Sequence, residues 1–303
     1  MKTFSVIISF LSNEQELYYT LWDLFKELED FDYEIIVTDN SCIEGNIETI
    51  KYFIDKMAVY QNIKLFQYTE YQGTVPPWQF GISKATGQYL ILIDGHVTVS
   101  KDYFKKQYKI LKDSMIKDST IKVLWSASCF NGYSGDKSNY YYFNKDILSL
   151  AFANYCDETE PLVSQMGCVI VEREFFLKIG MFGNCFLKYG GYGAEELMLA
   201  LKTKMFGGRT FFNKDVFFHH SILSKGPGGK KLKLQNKAIA AYILDGYDYM
   251  IEVINNQPTD IINLLDEKGR QELIVEIPQL ARKDRNLILT APISYRELLK
   301  RYG

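Results

Sequence analysis

The sequence predicts an α/β chain: a mostly parallel, Rossmann-like sheet with helices on both faces, followed by a mainly helical C-terminal extension. Three observations carry that prediction. Apolar runs of strand length alternate with segments of helical periodicity through residues 1–100. The strand-like runs are apolar throughout, Phe4 to Leu11 (FSVIISFL) and Tyr89 to Ile93 (YLILI) above all, which is the pattern of strands covered on both faces. Finally, βα units in succession close a parallel sheet through right-handed crossovers that lay helices on its two sides.

Taken in order, the first strand leads into Asn13-Glu14, a helix start for Glu16 to Leu28. Tyr33 to Thr38 is the second strand, ending in Asp39-Asn40-Ser41, and a helix is expected over about Ile47 to Met57. Ile63 to Tyr68 is the third strand. Gly73 to Pro77 then forms a loop into the helix Trp78 to Ala85, closed by Thr86-Gly87 before the strand at Tyr89. Beyond it come a helix from Tyr103 to Lys112, a strand from Ile121 to Ala127, and a long surface loop over Asn131 to Asn144, rich in Gly, Ser, Asn and Tyr. Gln165 to Val171 reads as a strand, Arg173 to Ile179 as a short helix, and Gly190 to Gly193 as a turn opening the helix Ala194 to Met205. Arg209 to Phe218 is a last strand that delivers His219 and His220. Ser224 to Lys231 is a basic glycine-rich loop, and the remainder reads as helices with one strand at Glu272 to Ile277.

Composition narrows the function classes. With 47% hydrophobic and 24% charged residues, the chain can bury a large core and is not a disordered one. A net charge of −2 provides no global attraction to nucleic acid or an anionic membrane. The run after Met1-Lys2-Thr3 is broken by Ser12, Asn13 and Glu14, too early for a membrane helix, and no signal-cleavage pattern follows. Five cysteines, widely spaced and without a CxxC pair, suggest neither a disulfide framework nor a zinc site, so a cytoplasmic location is expected, with peripheral membrane association left open.

The most telling stretch is YLILIDGHVTV, Tyr89 to Val99. Ligands of open α/β sheets bind beyond the carboxyl ends of the strands. Asp94 and His96 fall there, and Gly95 between them tolerates the turn that aims both at one ion. Taken alone, the tripeptide also reads as an ordinary Asp-Gly turn at a strand end.

The motifs together resemble the nucleotide-sugar glycosyltransferases of the GT-A fold, family 2 in particular, and the polypeptide N-acetylgalactosaminyltransferases. The resemblance runs from Phe4 to His220. Its pieces, in order, are VIISF; EIIVTDNS; ISKATGQYLILIDGH, ending in a DxD- or DxH-like metal motif; SQMGCVIVEREFFLKIGMF with YGGYGAEELMLALK; and VFFHH. It implies a glycosyltransferase domain over residues 1–224, with a nucleotide-binding half at 1–100 and an acceptor half at 101–224. Residues 225–303 then form the basic loop and helical extension.

By that resemblance Asp94, His96 and His219 are the metal ligands, with Mn²⁺ or Mg²⁺ as the ion; imidazole donors tilt the choice toward Mn²⁺. Asp39 pairs with the base of the nucleotide, its alternative role being a helix N-cap. Gly73 and the stretch Trp78 to Lys84 border the diphosphate and the sugar, with Lys84 the one basic residue there, and Lys225, with Lys230 and Lys231, forms a lid over the diphosphate. Glu196 removes the acceptor proton, which favours inversion, and Glu195 orients the acceptor or loop; acidic residues also suit a helix N-terminus for its dipole alone. The implied partners are a nucleotide sugar, UDP-linked by analogy, and a glycan or glycoconjugate acceptor. Transfer to a hydroxylated DNA base is a rival, with Tyr133, Tyr140, Tyr141 and Tyr142 around an extruded base, disfavoured by the acidic balance. A sugar nucleotidyltransferase is disfavoured because Leu11 to Glu14 replaces a basic phosphate loop. A non-catalytic glycan-binding relative is disfavoured by the retained ligand set. The sequence leaves open the sugar and nucleotide, the acceptor, retention or inversion, the choice between His219 and His220 as ligand, and the oligomeric state.

Overall fold

The computed structural model describes residues 2–10, 16–40, 48, 51–52, 55, 62–69, 75–117, 121–125, 128–131, 137–138, 140–146, 148–153, 162–163, 166–183, 194–213, 215–220, 230–263 and 265–302. A seven-stranded sheet forms the centre, ordered β12-β6-β11-β4-β1-β2-β3. Its N-terminal strands are β1 (Phe4–Phe10), β2 (Tyr33–Asp39), β3 (Ile63–Gln67) and β4 (Tyr89–Asp94). These four are parallel. β11 (Cys168–Glu172) runs antiparallel between β4 and β6 (Ile121–Trp125), and β12 (Arg209–Phe212) returns parallel to β6. The sheet is therefore mixed but mostly parallel, as the continuous apolar runs predict.

Strand alternation divides the core in two. Ile7, Ile36, Leu90, Leu92, Val169 and Val171 face one cluster, with helix α2 (Val75–Lys84) and helix α5 (Glu195–Met205). Val6, Ile8, Ile35, Val37, Ile91 and Ile93 face the other, with helices α1 (Glu16–Glu27) and α3 (Tyr103–Lys117). Helix α2 begins at Val75, earlier than expected, because Pro76 and Pro77 fall in the first turn, where a missing N–H costs nothing.

A second sheet, ordered β5-β13-β7-β8, stands at the edge of the first. It joins β5 (Val97–Val99), β7 (Ser128–Asn131), β8 (Lys137–Ser138) and β13 (Phe217–His220). The stretch from Asn131 to Asn144, expected as a loop, carries strand pairing, and β9 (Tyr140–Asn144) forms a hairpin with β10 (Ser149–Ala153). Polar, tyrosine-rich strands lack the apolar run that marked the others, so composition misled. The expected single strand Arg209 to Phe218 is two strands in different sheets. Glu272 to Ile277 lies inside a helix, Glu267–Leu280, whose N-terminus is capped by the Asp266 side chain accepting from the Gly269 N–H at 2.7 Å; the short β-prone run Leu273 to Val275 was outweighed by the cap.

The C-terminal helices share the first core cluster with α5. Tyr249 donates its hydroxyl to the Lys145 carbonyl at 2.6 Å, tying them to the β9–β10 turn. Among the described residues no helix is long and apolar enough to cross a membrane. The expected helix over Ile47 to Met57, the turn at Gly190 to Gly193 and the basic loop from Ser224 lie wholly or largely outside the described residues.

Candidate metal centre at the carboxyl edge of the sheet

Asp94 ends β4, and its N–H donates to the Gly167 carbonyl at 3.1 Å. His96 follows in the turn into β5. β13 pairs antiparallel with β5 and parallel with β7, so its register is fixed from both sides: His220 stands opposite Val97, His219 opposite Thr98. Since side chains alternate along a strand, Phe218 and His220 share the inward face, while Phe217 and His219 point outward. Phe218 is fully buried; Phe217 and His219 are exposed.

The result is a convergence of three donors. The His220 Nε2 atom lies 3.2 Å from Asp94 Oδ2 and 3.1 Å from His96 Nε2. All three ligand atoms fall within 4.8 Å of one another. Donor atoms held about 2.1 Å from one ion at near right angles stand roughly 3 Å apart, so these separations fit a shared divalent cation. One carboxylate with two imidazoles suits a first-row divalent transition ion, Mn²⁺ among them, better than Ca²⁺, which prefers oxygen alone. Cys168, one residue from Gly167, is fully buried, and burial pushes its thiol up to about 12, so it stays a neutral wall residue. The expectation that His219 is the ligand is corrected here. The strand's alternation puts His219 on the outer face and brings His220 to Asp94 and His96.

Two supports of this centre were not foreseen. Helix α1 presents Thr20, Asp23 and Glu27 on one face to the backbone of the metal turn, of β5 and of the start of α3 in turn. The Thr20 hydroxyl donates to the Gly95 carbonyl at 3.0 Å, Asp23 accepts from the Val99 N–H at 3.3 Å, and Glu27 accepts from the Tyr103 N–H at 2.8 Å. Burial raises the pKa of both carboxyls, partly offset by those N–H donors. Spacing of i, i+3 and i+7 was the signal available in sequence, but it reads equally as a solvated face. The second support is Gly167. A Cβ added there would stand 2.5 Å from the Phe218 ring and 3.3 Å from His220 Cδ2. Only glycine lets β13 approach β11 closely enough to bring His220 to the site.

Residues 5–152 match the family model described as glycosyl transferase family 2. That match spans just under half of the chain, and the fold is that of the GT-A glycosyltransferases. Among solved structures the chain superposes on GalNAc-T7 with UDP, GalNAc and Mn²⁺ at a TM-score of 0.71 and 19% identity, covering 100% of this chain and 57% of that one. It also superposes on the mannosyltransferase PcManGT from Pyrobaculum calidifontis, in complex with GDP-Man and Mn²⁺, at a TM-score of 0.55 and 14% identity, covering 99% and 79%. Residues 1–349 of TarS from S. aureus, in complex with UDP-GlcNAc, match at 0.57 and 14%, covering 94% and 83%. At these identities the likeness is one of fold. The chain spans little more than half the length of the GalNAc-T7 chain.

The glycosyltransferase fold places the other sequence-derived candidates unevenly. Asp39 ends β2, fully buried, two strands from Asp94 on the same edge. Its neighbour Asn40 fixes the strand exit, donating its N–H to the Phe10 carbonyl at 2.7 Å and its side-chain amide to the Tyr68 carbonyl at 2.8 Å. Lys84 does not reach the site. It ends α2 two residues before Thr86, whose N–H meets Ser5 and Glu34 at the starts of β1 and β2. The ammonium rests over the Phe80 ring, 4.9 Å from its centroid, at the sheet's amino edge. A helix antiparallel to the strands necessarily delivers its last residue there. Glu195 and Glu196 open α5 behind Ala194, which holds a φ of 71°; Glu195 is buried and Glu196 half-buried. Neither joins the donor cluster formed by Asp94, His96 and His220. Gly73, Tyr133 and Lys225 lie outside the described residues, and the side chains of Tyr140, Tyr141, Tyr142, Lys230 and Lys231 are not described.

Proposed function

We propose that the protein is a metal-dependent glycosyltransferase that moves a sugar from a nucleoside-diphosphate sugar, UDP-linked by analogy with GalNAc-T7 and TarS, to a hydroxyl of a glycan or glycoconjugate. The observation that carries this reading is the Asp94–His96–His220 cluster at the carboxyl edge of a GT-A sheet, where such folds bind their ligands. A divalent cation held there neutralises charge developing on the departing diphosphate.

The chain's own residues take the remaining roles. Asp39, buried at the end of β2, accepts a hydrogen bond from the base in a slot shielded from water. Thr20, Asp23 and Glu27 hold the metal turn and the segments that follow it in place, which spares the site reorganisation during transfer. Glu196, at the start of α5, takes the proton from the attacking hydroxyl, and direct displacement by that hydroxyl inverts the anomeric centre. Glu195, buried beside it, orients the helix start. The domain comprises residues 1–224, with residues 225–303 as an extension packed on α5.

The testing experiment is thermal stabilisation by UDP and GDP with and without Mn²⁺, because a ligand of the folded state raises the melting temperature in step with its affinity. Stabilisation by nucleotide that requires Mn²⁺ and reverses with EDTA is the expected result. Equal stabilisation in EDTA, or none with any nucleotide, contradicts the reading.

A further inference from the structure

The outer face of helix α1 carries aromatic side chains that the core leaves at the surface. Tyr18, Tyr19 and Trp22 are 42%, 61% and 40% exposed, while Leu17, Thr20, Leu21, Leu24 and Phe25 of the same helix are buried. Exposed aromatics scattered singly, such as Tyr247 and Tyr302, are ordinary, but three on adjoining turns of one helix make a patch. The patch is ordered. The Tyr18 and Trp22 rings, one turn apart, have centroids 6.5 Å apart and planes 12° from parallel, and Tyr19 meets the Tyr18 ring edge-on at 5.7 Å. The Lys26 ammonium stands 4.9 Å from the Trp22 centroid. Rigid rings of this kind give up little conformational entropy when a ligand settles on them.

Both the place of the patch and its charge can be read from the fold. Helix α1 runs back along β1, and the turn after it returns to the amino edge of the sheet, where the Asp32 carbonyl accepts from the Thr3 N–H. Its first turn therefore stands at the carboxyl edge, and Thr20 fixes the level by donating its hydroxyl to the Gly95 carbonyl of the metal turn. Tyr18 and Tyr19, just before Thr20, lie at that level or beyond it, and Trp22 continues the patch down the outside of the molecule. On α1 the acidic side chains Glu16, Asp23 and Glu27 stand against Lys26 alone. Glu29 and Asp30 follow directly, Asp30 paired with Lys105. Such surroundings repel a nucleic-acid backbone or an anionic membrane. They suit a neutral, hydroxyl-rich molecule, whose C–H faces rest on the electron-rich faces of the rings while its hydroxyls donate to the carboxylates.

We propose that Tyr18, Tyr19 and Trp22 form a saccharide-binding platform that holds a neutral glycan chain beside the carboxyl edge, an inference that rests on the glycosyltransferase reading above for its choice of ligand. The platform takes no part in the chemistry. It grips units of the glycan remote from the reacting hydroxyl and so raises the effective concentration of the acceptor at the metal centre. Lys26, over Trp22, adds a donor for hydroxyl oxygens at the far end of the patch.

The test uses the full chain and the variants Tyr18→Ala, Trp22→Ala and Trp22→Phe, all at exposed positions where substitution leaves stability nearly unchanged. Binding of maltohexaose, cellohexaose and chitohexaose is measured by calorimetry, and UDP with Mn²⁺ is titrated in parallel. The inference expects wild type to bind at least one of these oligosaccharides. Tyr18→Ala and Trp22→Ala lose about tenfold in that affinity, Trp22→Phe loses less because it keeps a ring, and UDP binds all three variants as it binds wild type. A wild-type protein that binds UDP with Mn²⁺ but none of the oligosaccharides overturns the inference alone, as does oligosaccharide binding that survives both alanine variants. Ring-dependent oligosaccharide binding in a protein that binds no nucleotide upholds the platform and overturns the transferase reading. A dimer that Trp22→Ala dissociates in light scattering, or ring-dependent binding to phosphatidylserine vesicles, gives the face to another partner and overturns the saccharide assignment.

Discussion

Replacing Gly167 by alanine probes how tightly the metal centre depends on backbone approach. The added Cβ would stand 2.5 Å from the nearest Phe218 ring carbon, about 1 Å inside ordinary carbon–carbon contact. Phe218 is fully buried, and β13 is held between β5 and β7, so the ring has no free direction of escape. The strand must move, and His220 moves with it. Overpacking of this kind costs about 1–3 kcal/mol of stability. A shift of several tenths of an ångström also spoils the 3.1 and 3.2 Å separations that bring His220 to His96 and Asp94. Loss of ligand orientation typically costs about 10- to 100-fold in metal affinity. Titration with Mn²⁺, followed by the paramagnetic signal of the free ion, reads this directly, and thermal unfolding reads the stability term. A Gly167→Ala protein that binds Mn²⁺ as wild type does would refute the argument that glycine is required for His220 to approach.

Other consequences follow from the same geometry. Glu34 accepts from Ser5, Lys64 and Thr86, each at 2.7 Å; burial alone raises its pKa, but these bonds outweigh it and bring it down to about 2. Its folded-state value lies below the unfolded one, so its contribution, about 3 kcal/mol at neutral pH, is present above the usual carboxylate range and fades as pH falls from about 4.5 toward 2. Glu34→Gln should therefore lower neutral-pH stability and flatten the acid limb of the stability profile; an unchanged acid limb would remove Glu34 as its source. Glu196→Gln, which keeps shape and removes basicity, should lose sugar transfer by about 100-fold or more while still binding nucleotide with metal. Near-normal turnover would return both glutamates to a helix-dipole role.

The central sheet was legible because its strands are apolar throughout; Phe4 to Phe10 and Tyr89 to Asp94 announce themselves and fix the edge on which Asp39 and Asp94 fall. The second sheet was not, since β7, β8 and β9 draw on Cys, Asn, Ser, Lys and Tyr, whose pattern is that of a loop. Asp94 and His96 were legible from their place after a buried strand. The choice between His219 and His220 was not, because it depends on which face of β13 meets Gly167, and pairing partners distant in sequence set that face. Lys84 failed for a related reason: its sequence distance from Trp78 hides that the helix carries it to the far edge. Thr20, Asp23 and Glu27 act through backbone groups of another segment, a relation that no local pattern encodes.

The most direct test of the account is Mn²⁺ binding by His220→Ala and His219→Ala side by side, with UDP present. Wild type and His219→Ala are expected to bind the ion alike, and His220→Ala to lose most of its affinity, as Asp94→Ala and His96→Ala should. Retained binding in His220→Ala with loss in His219→Ala would contradict the metal centre described here.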